Sequence, residues 1–277
     1  MKRRLHAALF ALVIVLAVLS SGVSAEDGYD AVVLATGTDE ANCERSDLPG
    51  VFVTQDVCRV QEAVSANPGG KILLKGTFHF AEYGDDGYVV PGTDGTVFIT
   101  NDVEISGEKD GDRFLTRILG GYFTFSVGYQ PVEWSYDVDP DENYSPGDNI
   151  SPAQAIVRDI SFENSLYTAI RVWSTTGTIV EGNRFLGGRS YEGGAYCTGP
   201  QCSGYAYAIS VMQPDALQRL RPQVYTGDLY IIDNVIDCDY GRADADDPWG
   251  KPAYGIPVRG YSYGVLIYEH RVALATA

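Results

Sequence analysis

The stretch TIVEGNRFLGG (residues 178–188) alternates like a strand through Thr178, Val180 and Phe185, yet Gly182-Asn183 interrupts it. Glycine, and after it asparagine, best tolerate left-handed backbone angles. The pair therefore predicts a sharp bend inside an otherwise extended run. The pattern recurs in DLYIIDNVIDC (228–238), which sets Asn234 on Asn183, Ile236 on Phe185, Ile231 on Val180 and Leu229 on Thr178. GVLIYEHRVAL (264–274) reads as a third copy, with His270 in the asparagine column, Ile267 in the Val180 column and Val272 in the Phe185 column. AIVRDISFEN (155–164) is an earlier, weaker copy through Val157, Ile160 and Phe162. A second element lies between the copies. YTAIRVW (167–173), YAISVM (207–212) and YGIPVR (254–259) align Ile170 with Ile209 and Ile256, and Val172 with Val211 and Val258.

A unit of three short strands cannot bury its own apolar face, whereas stacked units share one continuous core. Asn183 and Asn234 are expected to turn the chain between two strands of a unit and to bond to one another along the stack. The alternative is a set of antiparallel hairpins, against which three units in one order weigh.

With these repeats the chain resembles the right-handed parallel β-helix proteins of the pectin-lyase-like superfamily. Residues 54–80 are similar to that superfamily's opening segment. Val57, Val60 and Val64 share one helical face, Thr54 is placed as N-cap, and Gly69-Gly70 follows the helix. KILLKG and GTF (76–78) come next, and DVEISGE (102–108) and TRILGG (116–121) read as early coils. The resemblance spans about residues 50–275 and implies an all-β, right-handed parallel β-helix solenoid with a short N-terminal capping helix. It implies little about activity, because this fold hosts lyases, hydrolases, esterases, adhesins and phage spikes.

The first 25 residues read as a signal peptide: basic MKRR, an apolar run too short for a comfortable span, and VSA at the cleavage position. The expected organisation is a leader over 1–25, an N-terminal extension over 26–50 and a β-helix domain over 51–277. Removing Lys2, Arg3 and Arg4 leaves 17 basic against 37 acidic residues. That balance disfavours nucleic acid or an anionic membrane surface as partner, and no membrane span is expected after cleavage. A secreted, periplasmic or cell-surface location permits disulfides. Cys43 and Cys58 bracket one segment and Cys197 and Cys202 share another, which makes these the preferred pairs, with Cys238 left over. Spacing alone does not fix the connectivity.

Two insertions, residues 187–205 and 237–255, occupy equivalent positions in successive units and are expected to emerge on one side, stacked. In lyases and hydrolases of the superfamily such loops bound a saccharide groove. Tyr191, Tyr196, Tyr240 and Trp249 offer stacking faces for sugar rings, and Arg189, Arg242 and Lys251 offer charge for uronate carboxylates. The competing role for these residues is to cover the outside of the fold. On the small-Ile-x-Val strands, alternation sends Arg171, Ser210 and Pro257 outward in one row and Trp173, Met212 and Arg259 in the next. By the resemblance, an arginine takes the proton α to a uronate carboxylate while calcium neutralises that carboxylate. Arg171 and Arg259 are the candidate catalytic residues, and Trp173 a candidate substrate contact. Asp239, Asp244, Asp246 and Asp247 are candidate calcium ligands, since calcium takes six to eight oxygens. Asp137, Asp139, Asp141 and Asp148 have calcium-loop spacing, but Glu142 stands where an EF-hand needs glycine. Solvated acidic loops are the ordinary alternative.

The paired aspartates that follow a strand, the GHG and the RIK of the superfamily's glycoside hydrolases are absent. The expected function is recognition of an acidic polysaccharide, with cleavage by β-elimination as its catalytic form. The rival is a non-catalytic surface or envelope scaffold. The last matched unit runs to Leu274 without a closing segment, which points to a longer protein or to end-to-end self-association.

Overall fold

The computed structural model describes residues 23–26, 28–84, 90, 92–133, 147–165, 168–188, 204–211, 227–237 and 260–267. It is mostly β, its main sheets are parallel, and none of them closes on itself. The described chain opens with a hairpin, β1 (Val23–Glu26) and β2 (Tyr29–Leu34), and a short ladder, β3 (Cys43–Glu44) with β4 (Phe52–Val53). Helix α1 (Gln55–Ala66) follows.

The chain then visits three sheets in turn, round after round. The first round is β5 (Lys71–Lys75), β6 (Thr77–His79) and β7 (Val97–Ile99). The second is β8 (Val103–Ser106), a small excursion β9 (Lys109–Asp110) with β10 (Arg113–Phe114), then β11 (Arg117–Leu119) and β12 (Phe123–Val127). A ladder of β13 (Tyr129–Gln130) with β14 (Asn149–Ile150) leads to the third round, β15 (Ala155–Arg158), β16 (Ser161–Ser165) and β17 (Thr168–Val172). The fourth is β18 (Thr178–Glu181), β19 (Arg184–Gly188) and β20 (Gly204–Val211), and the fifth β21 (Leu229–Ile232), β22 (Val235–Asp237) and β23 (Gly260–Ile267). The first sheet has the order β1-β2-β5-β8-β15-β18-β21, the second β6-β11-β16-β19-β22, and the third β7-β12-β17-β20-β23. Only the β1–β2 pair is antiparallel within these sheets.

Register puts like residues in columns. In the first sheet Ile72, Ile105, Val157, Val180 and Ile231 follow one another. In the second the column is Phe78, Ile118, Phe162, Phe185 and Ile236. The Phe162 and Phe185 rings stack 5.2 Å apart, and Phe125 of the third sheet meets Phe162 edge-on at 5.5 Å. Such pairs add about 0.5–1.5 kcal/mol beyond the area they bury. The inward side chains of all three sheets form one core.

In the last three rounds the left-handed residues at the corner between first and second sheets are Asp159, Gly182 and Asp233, each one before the column of Ile160, Asn183 and Asn234, and Gly76 takes a positive φ at the same corner of the first round. The asparagines therefore do not make the bend themselves. They satisfy backbone groups that the bend turns away from the strand ladders. Asn183 Nδ2 donates to the Val157 carbonyl at 2.9 Å, and its Oδ1 accepts from Ile160 N at 3.1 Å. Asn234 Oδ1 in turn accepts from Asn183 N at 2.9 Å and Asn183 Nδ2 at 3.1 Å, while its Nδ2 donates to the Val180 carbonyl at 2.7 Å.

The third repeat differs from the expected alignment. β23 pairs Val265 with Ile209 and Ile267 with Val211, so Ile267 belongs to the third-sheet column rather than to that of Val180. Residues 254–259 and 268–277 lie outside the described residues. Two apolar-x-apolar triplets compete here, and Pro257 in the first has no N–H to donate to a strand ladder.

Helix α1 packs against β2, β6 and β7, a strand from each sheet, through the buried Val57, Val60 and Val64. Thr54 is its N-cap, accepting from Val57 N and donating to the His79 carbonyl. Asp56 in its first turn is fully buried and accepts from Thr36 N, Thr36 Oγ1 and His79 N at 2.8–2.9 Å. Its charge also suits the positive end of the helix. Cys43 and Cys58 form a disulfide that ties β3 to the helix. Of the segment before the helix, β2 joins the first sheet, and β3 forms its separate ladder with β4.

Replacing Asn183 by alanine leaves the Ile160 N–H and Val157 carbonyl without these partners in a dry corner, at about 1–3 kcal/mol for each group left unsatisfied. Asn234 is only half-buried and ends the described ladder. Urea unfolding should therefore rank Asn183→Ala as clearly more destabilising than Asn234→Ala, and equal losses would contradict this account of the corner.

Candidate functional site

The side chains between the inward columns of the third sheet define its outer face. Phe98, Ser126, Arg171, Ser210 and Leu266 occupy one row in register. The sequence places Arg171 outward, and the strand delivers it there, because Ile170 and Val172 on either side belong to the core. The face is nonetheless covered. Arg171 is 3% exposed and Trp173 1%.

The Arg171 guanidinium lies 4.1 Å from the Trp173 ring centroid and 4.3 Å from that of Phe123. A cation so placed is attracted by both ring quadrupoles, the more strongly for being desolvated. Tyr129 packs on Trp173 with centroids 4.8 Å apart, and its hydroxyl donates to Asp148 Oδ2 at 3.3 Å. Asp148 Oδ1 accepts from Val132 N at 3.0 Å. The Trp173 indole Nε1 is buried with no hydrogen-bond partner among the described residues. Together these groups form an aromatic cradle around one fixed positive charge. Arginine stays protonated across the ordinary pH range, so the arrangement does not favour proton abstraction.

Arg259 lies outside the described residues. So do Arg189, Tyr191, Tyr196, Tyr240, Arg242, Trp249 and Lys251, together with Asp239, Asp244, Asp246, Asp247, Cys197 and Cys202. What is described is where their segments enter the third sheet. β20 and β23 begin at Gly204 and Gly260, which are paired in register. The first described residues after the two insertions are thus neighbours at the start of adjacent strands. A signal for this was available in GYAYAISV (204–211) and GYSYGVLI (260–267), whose shared G-Y-x-Y marks the pairing of Tyr205 with Tyr261 and Tyr207 with Tyr263. Among the described residues no three His, Cys, Asp or Glu side chains converge as a metal site.

The outer face of the second sheet has a different chemistry. Arg117 Nε donates to Glu163 Oε1 at 2.8 Å, its Nη2 bonds Oε2, and Ser161 Oγ donates to Glu163 Oε1 at 2.9 Å. Burial works to raise the Glu163 carboxyl, but Arg117, Ser161 and the nearby charge of Arg184 outweigh it and hold the group below the usual range. The carboxylate's hydrogen bond and charge raise Arg117 in turn, against its own desolvation.

No protein-family model matches the chain, and neither a curated protein nor a solved structure matches it.

Two outcomes follow. Arg171→Ala empties a buried volume between rings and should cost about 2–4 kcal/mol, as large-to-small core changes do. Arg171→Met keeps most of the packing and should cost less, with Trp173 emission separating the two in urea titrations. A carboxyl lowered on folding stabilises above its unfolded pKa of about 4.3 and loses that contribution as pH falls through the folded value. Glu163→Gln should therefore be about 0.5–1 kcal/mol less stable than the parent at pH 7, a modest figure because solvent screens the half-exposed Arg117. The gap should close in acid, as thermal melts across pH would reveal.

Proposed function

We propose that this protein is an exported, right-handed parallel β-helix that recognises an acidic polysaccharide along the outer face of the third sheet. The observation that carries this reading is the register of Gly204 with Gly260. Support comes from the strand starts that follow the two insertions, which are rich in tyrosine, tryptophan and basic residues: these starts are neighbours in the sheet that holds Arg171 and Trp173. Tyr191, Tyr196, Tyr240 and Trp249 stack on sugar rings, while Arg189, Arg242 and Lys251 meet carboxylates. Asp239, Asp244, Asp246 and Asp247 would hold calcium, which would screen the remaining charge. A chain with 37 acidic residues needs such local cations to hold an anionic polymer at all. Cleavage by β-elimination, with Arg171 or Arg259 as base, is the catalytic form of the same reading.

A second reading, a non-catalytic surface scaffold, is favoured by the 3% exposure of Arg171. A base under two aromatic rings does not reach a polymer unless the cradle opens.

Incubation with a panel of uronate polysaccharides, with and without calcium, separates the two. Retention of at least one polymer in affinity electrophoresis, lost on combined Arg242→Ala and Lys251→Ala substitution, is the expected result. Ultraviolet absorbance from an unsaturated product, abolished by Arg259→Ala, would extend recognition to catalysis. Folded protein that retains none of the polymers would leave the scaffold.

A further inference from the structure

Between helix α1 and the turn after β3 lies a pocket of about 380 Å3, open to solvent on one side and lined by Arg45, Ser46, Asp47, Gln61, Glu62 and Ser65. That volume falls within the ordinary range for small-ligand sites. Its floor is a closed polar network. Buried Arg45 donates through Nε and Nη2 to Asp47 at 2.9 and 2.7 Å, through Nη2 to Gln61 Oε1 at 2.9 Å, and through Nη1 to the Thr96 carbonyl. Gln61 binds both backbone groups of Phe98, accepting from N at 2.7 Å and donating to O at 3.0 Å. The walls are fixed as well, because Cys58 lines the pocket and its disulfide to Cys43 joins the helix wall to the opposite strand.

The pocket adjoins the face described above. The Arg45 guanidinium sits 4.9 Å over the Phe98 ring, and Gln130 donates to Asp47 at 3.0 Å. Phe98 stands two strands from Arg171 in the same row, about 10 Å at the spacing of paired strands.

We infer that this pocket is an end subsite of the proposed groove and that it takes one uncharged sugar unit. The inference rests on the polysaccharide reading for its ligand class, and on the pocket's own electrostatics for the absence of charge. The Arg45 charge is already matched by Asp47, so it has little left for a second carboxylate. Glu62 on the exposed rim repels one. What remains are the Ser46 hydroxyl, the proton of the Ser65 hydroxyl, whose oxygen accepts from Gln61 Nε2 at 3.3 Å, and the Glu62 carboxylate, acceptors and donors that suit ring hydroxyls. The preferred polymer is then an acidic heteropolysaccharide with a neutral end unit or branch, its uronates lying toward the insertions and its neutral unit against α1.

The test uses saturation-transfer NMR on the folded, disulfide-intact protein with glucose, galactose and mannose, and with the matching hexuronates. At least one neutral hexose should bind, with its hexuronate about tenfold weaker, the equivalent of one poorly matched charged group. Ser65→Trp, and separately Ser46→Trp on the facing wall, should each abolish the hexose signal; both positions are exposed, so the fold should survive. Glu62→Ala should narrow the preference for the neutral sugar. The inference is overturned if no neutral hexose binds, or if both tryptophan variants bind it as the parent does. Polymer retained equally by parent and Ser65→Trp, with no hexose signal, would remove the pocket and leave the groove. Hexose binding with no polymer retained would keep the pocket and remove the groove.

Discussion

Each round of this chain is roofed by the next, and that dependence governs the structure. A row such as Phe162 is fully enclosed only because Phe185 lies on it from one side and Ile118 from the other. Parallel pairing fixes the register of those rows, and a slip by one residue would turn every inward side chain out. The corner amides pin the register where the strand ladders are interrupted. Asn183 reaches back to Val157 and Ile160 of the preceding round and is itself held by Asn234 of the following one. A residue type chosen for its bend in a single strand thus acts between strands, which only the stack makes possible.

Much of this was legible from alternation. The pairings of Thr178 with Leu229, Val180 with Ile231, Phe185 with Ile236, Ile170 with Ile209 and Val172 with Val211 all follow from aligning one stretch on another. Period-two patterns are short-range and survive any insertion between them. The last unit was read one strand too early, since two apolar-x-apolar triplets lie close together and only the tyrosine pairing tells them apart. The Arg45 network was not legible at all. Its partners Asp47, Gln61, Thr96 and Gln130 are scattered along the chain, and no spacing announces them.

The candidate site was half-readable for a related reason. Alternation tells which way a side chain points from a sheet, and it placed Arg171 on the outer face. It does not tell what lies over that face. Phe123 and Trp173 flank the guanidinium, and Tyr129 closes on Trp173, so an outward position became a buried one. The second sheet shows the opposite case, with Arg117 and Glu163 paired at the surface. One fold therefore carries an aromatic outer face and an ionic one, set by side chains that make no difference to the core.

The three corners also differ in the length of chain they use. From first to second sheet, Glu181 to Arg184 and Ile232 to Val235 leave only two residues between strands, as Arg158 to Ser161 does. From second to third sheet the spacing runs from the short step between Ser165 and Thr168 to the long ones ending at Gly204 and Gly260. Closing a longer loop costs only slowly more entropy, so the second corner accepts new sequence at small cost. The first corner takes an insert where no asparagine spans it, as the β9–β10 excursion between Ser106 and Arg117 shows. The amide-bonded turns therefore act as a spine, and the other connections as sockets whose loops can be exchanged without refolding what lies beneath.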